Sequence, residues 1–339
     1  MIKYLGSKRQ LIPWILDTIS VQFPEAKSVL DLFSGTSRVG SALKTRGLQV
    51  FANDHNLFAY HIANCYIETN LEDLPHNINK VLAHLNNLPG QAGFFTEHYC
   101  INARFFHPKN GERIDAIRKE IDNLDISPQI RSVLLVSLME AADRIDSTCG
   151  LQMAFLKDWA SRAHRDMNLR LPVITPKSPY GPSKAYCLDA QKAGSQIDCD
   201  VVYLDPPYNQ HSYRGNYHIW ETLVRNDYPE VYGRAQKRLD CRSQKSDFNS
   251  KRRFKEKLES LLATMRSRKW LVSFNDEGFI TREDLGDLLH NFGTVKIQEI
   301  DYKRYVGAQI GIYNQNGLKV GEVKKLRNKE LLYIVNSTA

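Results

Sequence analysis

The sequence predicts an α/β fold built on an open central sheet, and three observations carry that expectation. First, Val201-Val202-Tyr203-Leu204 is a continuous apolar run of strand length, suited to a strand buried on both faces. Asp205-Pro206-Pro207 stops it abruptly, because proline cannot donate to a ladder and restrains the residue before it. Second, further strand-like runs begin near Ser28, Gln49, Ala185, Trp270, Lys296 and Leu331, which brings the count to seven. Third, helical apolar spacing fills the longest interval, as in Ile114, Ile117, Ile121 and Leu124, then Val133, Leu134, Val136, Leu138 and Met139.

Composition narrows the class. At 339 residues, 42% hydrophobic and 25% charged, the chain has ample core and the make-up of a soluble globular protein. No apolar run approaches a membrane span, and Met1 to Gln10 lacks the apolar centre of a signal peptide, so a cytoplasmic location is expected. The six cysteines form no C-x-x-C pair and the ten histidines no H-x-x-x-H cluster, so no metal is expected. A net charge of +8 fits a polyanionic partner.

Along the chain, Ile2 to Ile12 opens with a turn at Gly6 and continues as a helix-compatible run toward Ile19. Ser28 to Gly40 reads as a strand, then a tight loop, then a helix that continues through Lys44. Gly35 permits close backbone approach to a ligand, and Gly40 suits helix packing on the sheet. A dinucleotide site would want G-x-G-x-x-G, which is absent here. Gln49 to Asp54 is a second strand ending in an acid, placed either to accept from ribose hydroxyls or to cap the helix beginning near Asn56.

The helical block from Leu71 to about Asp166 helps to separate Asp31 from Asp205 by 174 positions, more than a crossover helix requires, and reads as an insert. Within it, Ala103 to Gly111 mixes bases and aromatics around Arg104, as either a nucleic-acid surface or a packed helix-end turn would. Leu171 to Lys184 is linker-like, with Pro172, Pro176, Pro179 and Pro182. Ala185 to Asp189 suits a short strand with a terminal acid. Three units are therefore expected: 1–70, an insert over 71–184, and 185–339. The stretch 233–269 holds 13 Lys/Arg against four Asp/Glu, a net +9 that reads better as a phosphate-contacting loop than as a solvated face.

The loop Asp205-Pro206-Pro207-Tyr208-Asn209 offers acceptor oxygens and an aromatic face within a few residues. That set suits a flat, nitrogen-rich ring bearing an exocyclic amine. Here the sequence resembles the amino-methyltransferases, whose signature is Asp/Asn/Ser-Pro-Pro-Tyr/Phe/Trp, and Asp205 to Tyr208 matches the adenine-preferring form. Asp31 to Ser37 likewise resembles their cofactor loop, Asp/Glu-x-Phe-x-Gly-x-Gly, with Ser37 in place of the last glycine. The amino-terminal Gly-x-Lys segment and the order of the loops are similar to those of Dam-like DNA adenine methyltransferases.

The resemblance implies a seven-stranded Rossmann-like sheet, mostly parallel with an antiparallel strand near one edge, and an insert that recognises the DNA target. It implies S-adenosylmethionine as cofactor, met by Tyr4, Gly6, Lys8, Asp31, Phe33, Ser34, Gly35, Thr36, Asp54, Asp189 and Asp205. Its catalytic residues would be Asp205, Pro206, Pro207 and Tyr208, acting on the N6 amine of an adenine flipped out of duplex DNA. Tyr213, Asn216 and His218 lie in a segment similar to the family's Y-x-x-N-Y-H-x-x-E-T and would wall the base pocket, beside Asn209. Arg104, Lys251, Arg252 and Arg253 are the expected phosphate contacts. A restriction–modification setting, with a separate cognate endonuclease, is the family's usual one. N4-cytosine methylation, RNA adenine methylation and an inactive DNA-binding module are the alternatives. A cytosine C5 enzyme is excluded, since no cysteine follows a proline.

Overall fold

The structure is a computed structural model, and it describes all residues except 211, 244, 245, 277, 304–311, 314–318, 322–326 and 339. Seven strands form one sheet: β1 (Ser28–Asp31), β2 (Gln49–Asn53), β3 (Lys184–Tyr186), β4 (Val201–Leu204), β5 (Lys269–Asn275), β6 (Gly293–Lys303) and β7 (Arg327–Ser337). Their order is β3-β2-β1-β4-β5-β7-β6. Every neighbouring pair is parallel except those made by β7, which runs antiparallel to both β5 and β6. The expected mostly parallel sheet, with its antiparallel strand next to one edge, is the sheet observed.

The order reverses between β1 and β4, so the carboxyl ends of these two strands lie side by side. Asp31 pairs in register with Tyr203, two residues before Asp205. Open α/β sheets bind ligands at such a reversal. Strand β4 is buried along its whole length, as its unbroken apolar run requires.

Alternate residues of the strands feed two apolar cores. Val29, Val50, Val201 and Tyr203 point into one, and Leu30, Leu32, Val202 and Leu204 into the other. The first core is covered by α1 (Ile12–Gln22), α2 (Arg38–Thr45), α3 (Leu57–Ala63) and the helical block α4 (Ile78–Asn86), α5 (Pro108–Asn123) and α6 (Pro128–Asp143). Helices α7 (Ala190–Gln196), α9 (Phe254–Thr264) and α10 (Arg282–His290) cover the second. Helix α8 (His218–Arg225) belongs to the first core through Ile219, Trp220 and Leu223. The block's Val133, Leu134 and Leu138 are therefore part of the same apolar cluster as the sheet residues Val29 and Val50.

One boundary differs from expectation. Strand β3 ends at Tyr186, and Asp189 is the amino-terminal cap of α7, its side chain accepting from the Gln191 N–H (2.9 Å). A short acid followed by Ala190 favours that cap over strand continuation. No helix among the described residues is long and apolar enough to cross a membrane.

Candidate active site

The loop after β1 is held from three sides. The Leu32 N–H donates to the Tyr203 carbonyl (3.1 Å), the Ser34 N–H to the Asn53 carbonyl (2.9 Å), and the Gly35 N–H to Asp54 Oδ2 (3.0 Å). Gly35 stands at φ +49°, and a Cβ there would lie 3.0 Å from the Tyr4 ring, so a larger residue would be strained and would have to displace Tyr4. Ser37, where the family pattern has glycine, adopts the glycine conformation all the same, at φ 54°. Asp31 Oδ2 accepts from the Gly40 N–H at the start of α2 (3.1 Å). Burial lifts the Asp31 carboxyl to about 7 against the pull of that N–H, with Asp205 and Asp54 adding to the rise.

Asp54 closes the loop onto β2. Its Oδ1 accepts from the backbone and side-chain N–H groups of Asn56 (2.9 and 3.0 Å), while Oδ2 holds Gly35. It orders the loop and holds Asn56, the cap residue of α3, through that residue's N–H groups, and is not itself the cap of that helix.

The amino-terminal segment folds across this loop. Tyr4 lies in a stack with Tyr213 and Tyr217, ring centroids 5.1 and 4.6 Å away, and the Leu5 N–H donates to the Tyr217 hydroxyl (2.5 Å). Farther back, Lys3 Nζ is 2.7 Å from Asp146. These contacts carry Lys8 to the Asp205 corner, where its Nζ lies 3.1 Å from Asp205 Oδ1 and 2.5 Å from Glu330 Oε1. Lys8 also sits 5.9 Å above the Tyr208 ring. Burial opposes the Lys8 charge, but Asp205 and Glu330 outweigh it and hold the ammonium protonated above its ordinary range. Burial likewise raises Asp205 to about 6, with Lys8 pulling it down and Glu330 pushing it up. The carboxylate is thus ionised at neutral pH yet close to its proton-binding range.

Tyr208 is set by β5: its hydroxyl accepts from Asn275 Nδ2 (2.7 Å) and its ring packs on Phe274 (4.8 Å). Pro206 is buried beneath the corner. Asp205 and Pro207 line one cleft with Tyr4, Gly6, Lys8, Asp31, Phe33, Ser34, Gly35, Thr36, Asp54 and Tyr213, about 790 Å³ of open space. A second hollow of about 850 Å³ shares Phe33 and Asp54 with it and adds Asp189. The two loops that the sequence singled out therefore line one cleft, through Phe33–Thr36 and through Asp205 and Pro207, with Tyr208 set back against β5.

The expected DNA contacts divide. Lys251, Arg252 and Arg253 are exposed, although Arg253 is paired with Asp247 (2.7 Å). Arg104 lies over the Phe155 ring at 5.9 Å, and Arg234 lies 5.4 Å from the same ring. The Asn209 carbonyl accepts from Asn249 Nδ2 (2.8 Å), which ties the catalytic corner to the basic stretch. Asn216 and His218 are corrected: both are buried, and His218 Nε2 donates to the Gln152 carbonyl (2.9 Å). Burial drops the His218 imidazole to about 3, so it is neutral and structural. Asn216 ends the short helix Tyr213–Asn216 and His218 begins α8, which leaves Tyr213 as the one of the three that reaches the cleft.

Glu330, Tyr217 and Asn275 were not foreseen. Glu330 stands just before the apolar run Leu331–Val335 and reads locally as a solvated strand end. Only the insertion of β7 between β5 and β6 buries it.

Residues 4–285 match the family described as D12 class N6 adenine-specific DNA methyltransferase. The chain is 31% identical over 322 residues to the modification methylase StsI of Streptococcus sanguinis, covering 90% of this chain and 49% of that protein. It is 29% identical over 315 residues to the type II methyltransferase M.NlaIII of Neisseria lactamica, covering 90% and 92%. With the type II methyltransferase M.FokI of Planomicrobium okeanokoites the identity is 30% over 326 residues, covering 90% and 50%. The chain thus spans about half the length of the StsI and FokI methylases and nearly all of M.NlaIII. Since the family match takes in both loops that face the cleft and runs on past β5, the chain belongs to the D12 class N6 adenine-specific DNA methyltransferase family.

Proposed function

We propose that the chain transfers a methyl group from S-adenosylmethionine to the N6 amine of an adenine flipped out of duplex DNA at a specific site. The observation that carries this reading is the shared cleft, in which Asp205 and Pro207 face Phe33–Thr36 across the reversal between β1 and β4. Family membership implies a methyl donor, and the groove fits this one. Ser34 Oγ, on its wall, is buried with no hydrogen-bond partner among the described residues. The Phe33 face, the backbone around Gly35 and the Asp54 carboxylate offer an apolar platform, close approach and hydroxyl acceptors for a nucleoside.

S-adenosylmethionine, when bound, supplies an electrophilic methyl on a sulfonium. The adenine amine is a weak nucleophile because its lone pair is delocalised into the ring. Asp205 Oδ and the Pro206 carbonyl accept its two N–H bonds, which favours a pyramidal nitrogen and frees the lone pair. Tyr208, fixed by Asn275 and Phe274, stacks on the ring. Asp205 then takes the proton that the amine sheds once it carries the methyl, a role suited to a carboxyl held at about 6. Positioning and electrostatics supply the acceleration, and no covalent enzyme intermediate is required.

Flipping the base costs a few kcal/mol, which phosphate contacts from Lys251 and Arg252 offset. The names of M.NlaIII and M.FokI as type II methyltransferases support a restriction–modification setting, with a cognate endonuclease acting separately. The helical block 71–184 is the natural recognition unit, since Arg104 and Phe155 come from it and meet Arg234 at its border.

The test is nucleoside analysis of DNA incubated with the purified chain and labelled S-adenosylmethionine. N6-methyladenine is expected, and N4-methylcytosine or unmodified DNA would overturn the reading. Asp205→Ala should abolish transfer while S-adenosylmethionine affinity by calorimetry stays within about tenfold. Retained turnover would remove Asp205 from the mechanism.

A further inference from the structure

Two carboxylates bracket one buried ammonium at the catalytic corner, and the two are not alike. Glu330 Oε1 lies 2.5 Å from Lys8 Nζ, against 3.1 Å for Asp205 Oδ1. The Glu330 side chain is 1% exposed and that of Asp205 20%. The same Glu330 oxygen accepts from Ser273 Oγ (2.5 Å), and β7 sets Glu330 opposite Asn275 and Ile300, with a paired strand on either side. Lys8, by contrast, comes from a segment without regular structure. Glu330 is thus the fixed partner and Lys8 the adaptable one. Glu330 also lies beyond residues 4–285, the range matched to the family.

We propose that Glu330 is a positioning residue for methyl transfer: by drawing the Lys8 ammonium to itself, it keeps Lys8 from closing onto Asp205 and leaves the Asp205 carboxylate free to accept from the target amine. This rests on the reading of Asp205 given above. With Glu330 neutral, Lys8 has a single anionic partner within reach, and a buried ammonium closes on the charge that remains. A tighter pair occupies the Asp205 lone pairs and weakens it as a proton acceptor. The short Lys8–Glu330 contact is therefore what balances the corner.

The other ionisable groups around Asp205 are Tyr4 on the amino-terminal segment, Tyr203 on β4, Tyr208 in its own loop, Tyr213 after it and Asp31 on β1. Burial holds all four phenols protonated well into the alkaline range, so they carry no charge near pH 6. Asp31, raised to about 7, titrates close by in wild type and variant alike. The difference between wild type and variant therefore isolates the Glu330 charge.

The experiment is the pH profile of single-turnover methyl transfer for wild type and E330Q, at saturating S-adenosylmethionine and DNA. Loss of the Glu330 charge leaves Lys8 to lower the Asp205 carboxyl, so the acid limb should move toward lower pH by about one unit. The plateau rate should fall about tenfold, with the KM for DNA unchanged. E330D keeps the charge but withdraws it by one methylene, and should restore the limb most of the way to wild type. A carbon-13 NMR titration of Asp205 reads the same shift without turnover, and decides the matter on E330D alone, through a smaller downward shift, should E330Q not fold. An Asp205 titration and acid limb that stay at the wild-type position in the folded variants overturn the proposal, even if rate and stability fall. A wild-type chain that methylates no adenine sinks the functional reading instead, so the two failures are distinguishable.

Discussion

Ser37 is wholly buried in the left-handed backbone region at φ 54°, and its hydroxyl meets no partner among the described residues. A non-glycine residue there costs roughly 1–2 kcal/mol, and an unpaired buried hydroxyl about 1–3 kcal/mol more. Ser37→Gly removes both and returns about 0.5–1 kcal/mol through the added freedom of the unfolded chain. The variant should therefore be more stable by about 1–4 kcal/mol, read as a rise in the urea midpoint. A lower midpoint would show that the side chain's packing outweighs its strain. Loops of this kind are legible because their constraints are local: Phe33, Gly35 and Asp205 announce themselves within a few residues. Glu330 and Tyr217 do not, because the groups that give them meaning, Lys8 and Tyr4, stand 322 and 213 positions away. Asn216 and His218 misled for the same reason, since nothing beside them in sequence points to the Gln152 contact that buries His218.

The strands were readable as elements, each an apolar run, and two of them stop at the acids Asp31 and Asp205. Their order was not contained in those runs, and the resemblance supplied the antiparallel strand near an edge. The basic stretch is a different matter, because its charge is visible in sequence but its pairing is not. Arg253 is already held by Asp247 at 2.7 Å, whereas Lys251 and Arg252 are exposed and make no ion pair with the described residues. Each phosphate neutralised on duplex DNA contributes about 0.9 to the salt slope. The double variant Lys251→Gln/Arg252→Gln should therefore reduce the slope of log affinity against log salt by about 2, while Arg253→Gln alone changes it far less. Fluorescence anisotropy with a labelled duplex across a salt series measures this. An unchanged slope in the double variant would make the stretch an ordinary solvated face.

Glu221 ties α8 to the start of α3. From α8 it accepts the Phe58 and Leu57 N–H groups at the start of α3 (3.1 and 3.4 Å), and it pairs with Arg225 at 2.7 Å. Arg214, itself buried, lies 3.8 Å away. Glu221 is fully buried, so Glu221→Ala strands cationic partners and uncaps a helix at once, at a cost of about 3–5 kcal/mol. Because the helical block 71–184 shares the first apolar core with the sheet, that loss should be felt by the whole molecule and not by one unit. Trp220 sits in the first core and Trp270 in the second, so tryptophan fluorescence reports both and far-ultraviolet dichroism reports the helices. In urea the two signals should coincide in a single transition, for wild type and, at a lower midpoint, for Glu221→Ala. Helical signal lost in a separate step would mean that the block folds as a domain of its own, and that the shared core does not bind it to the catalytic sheet.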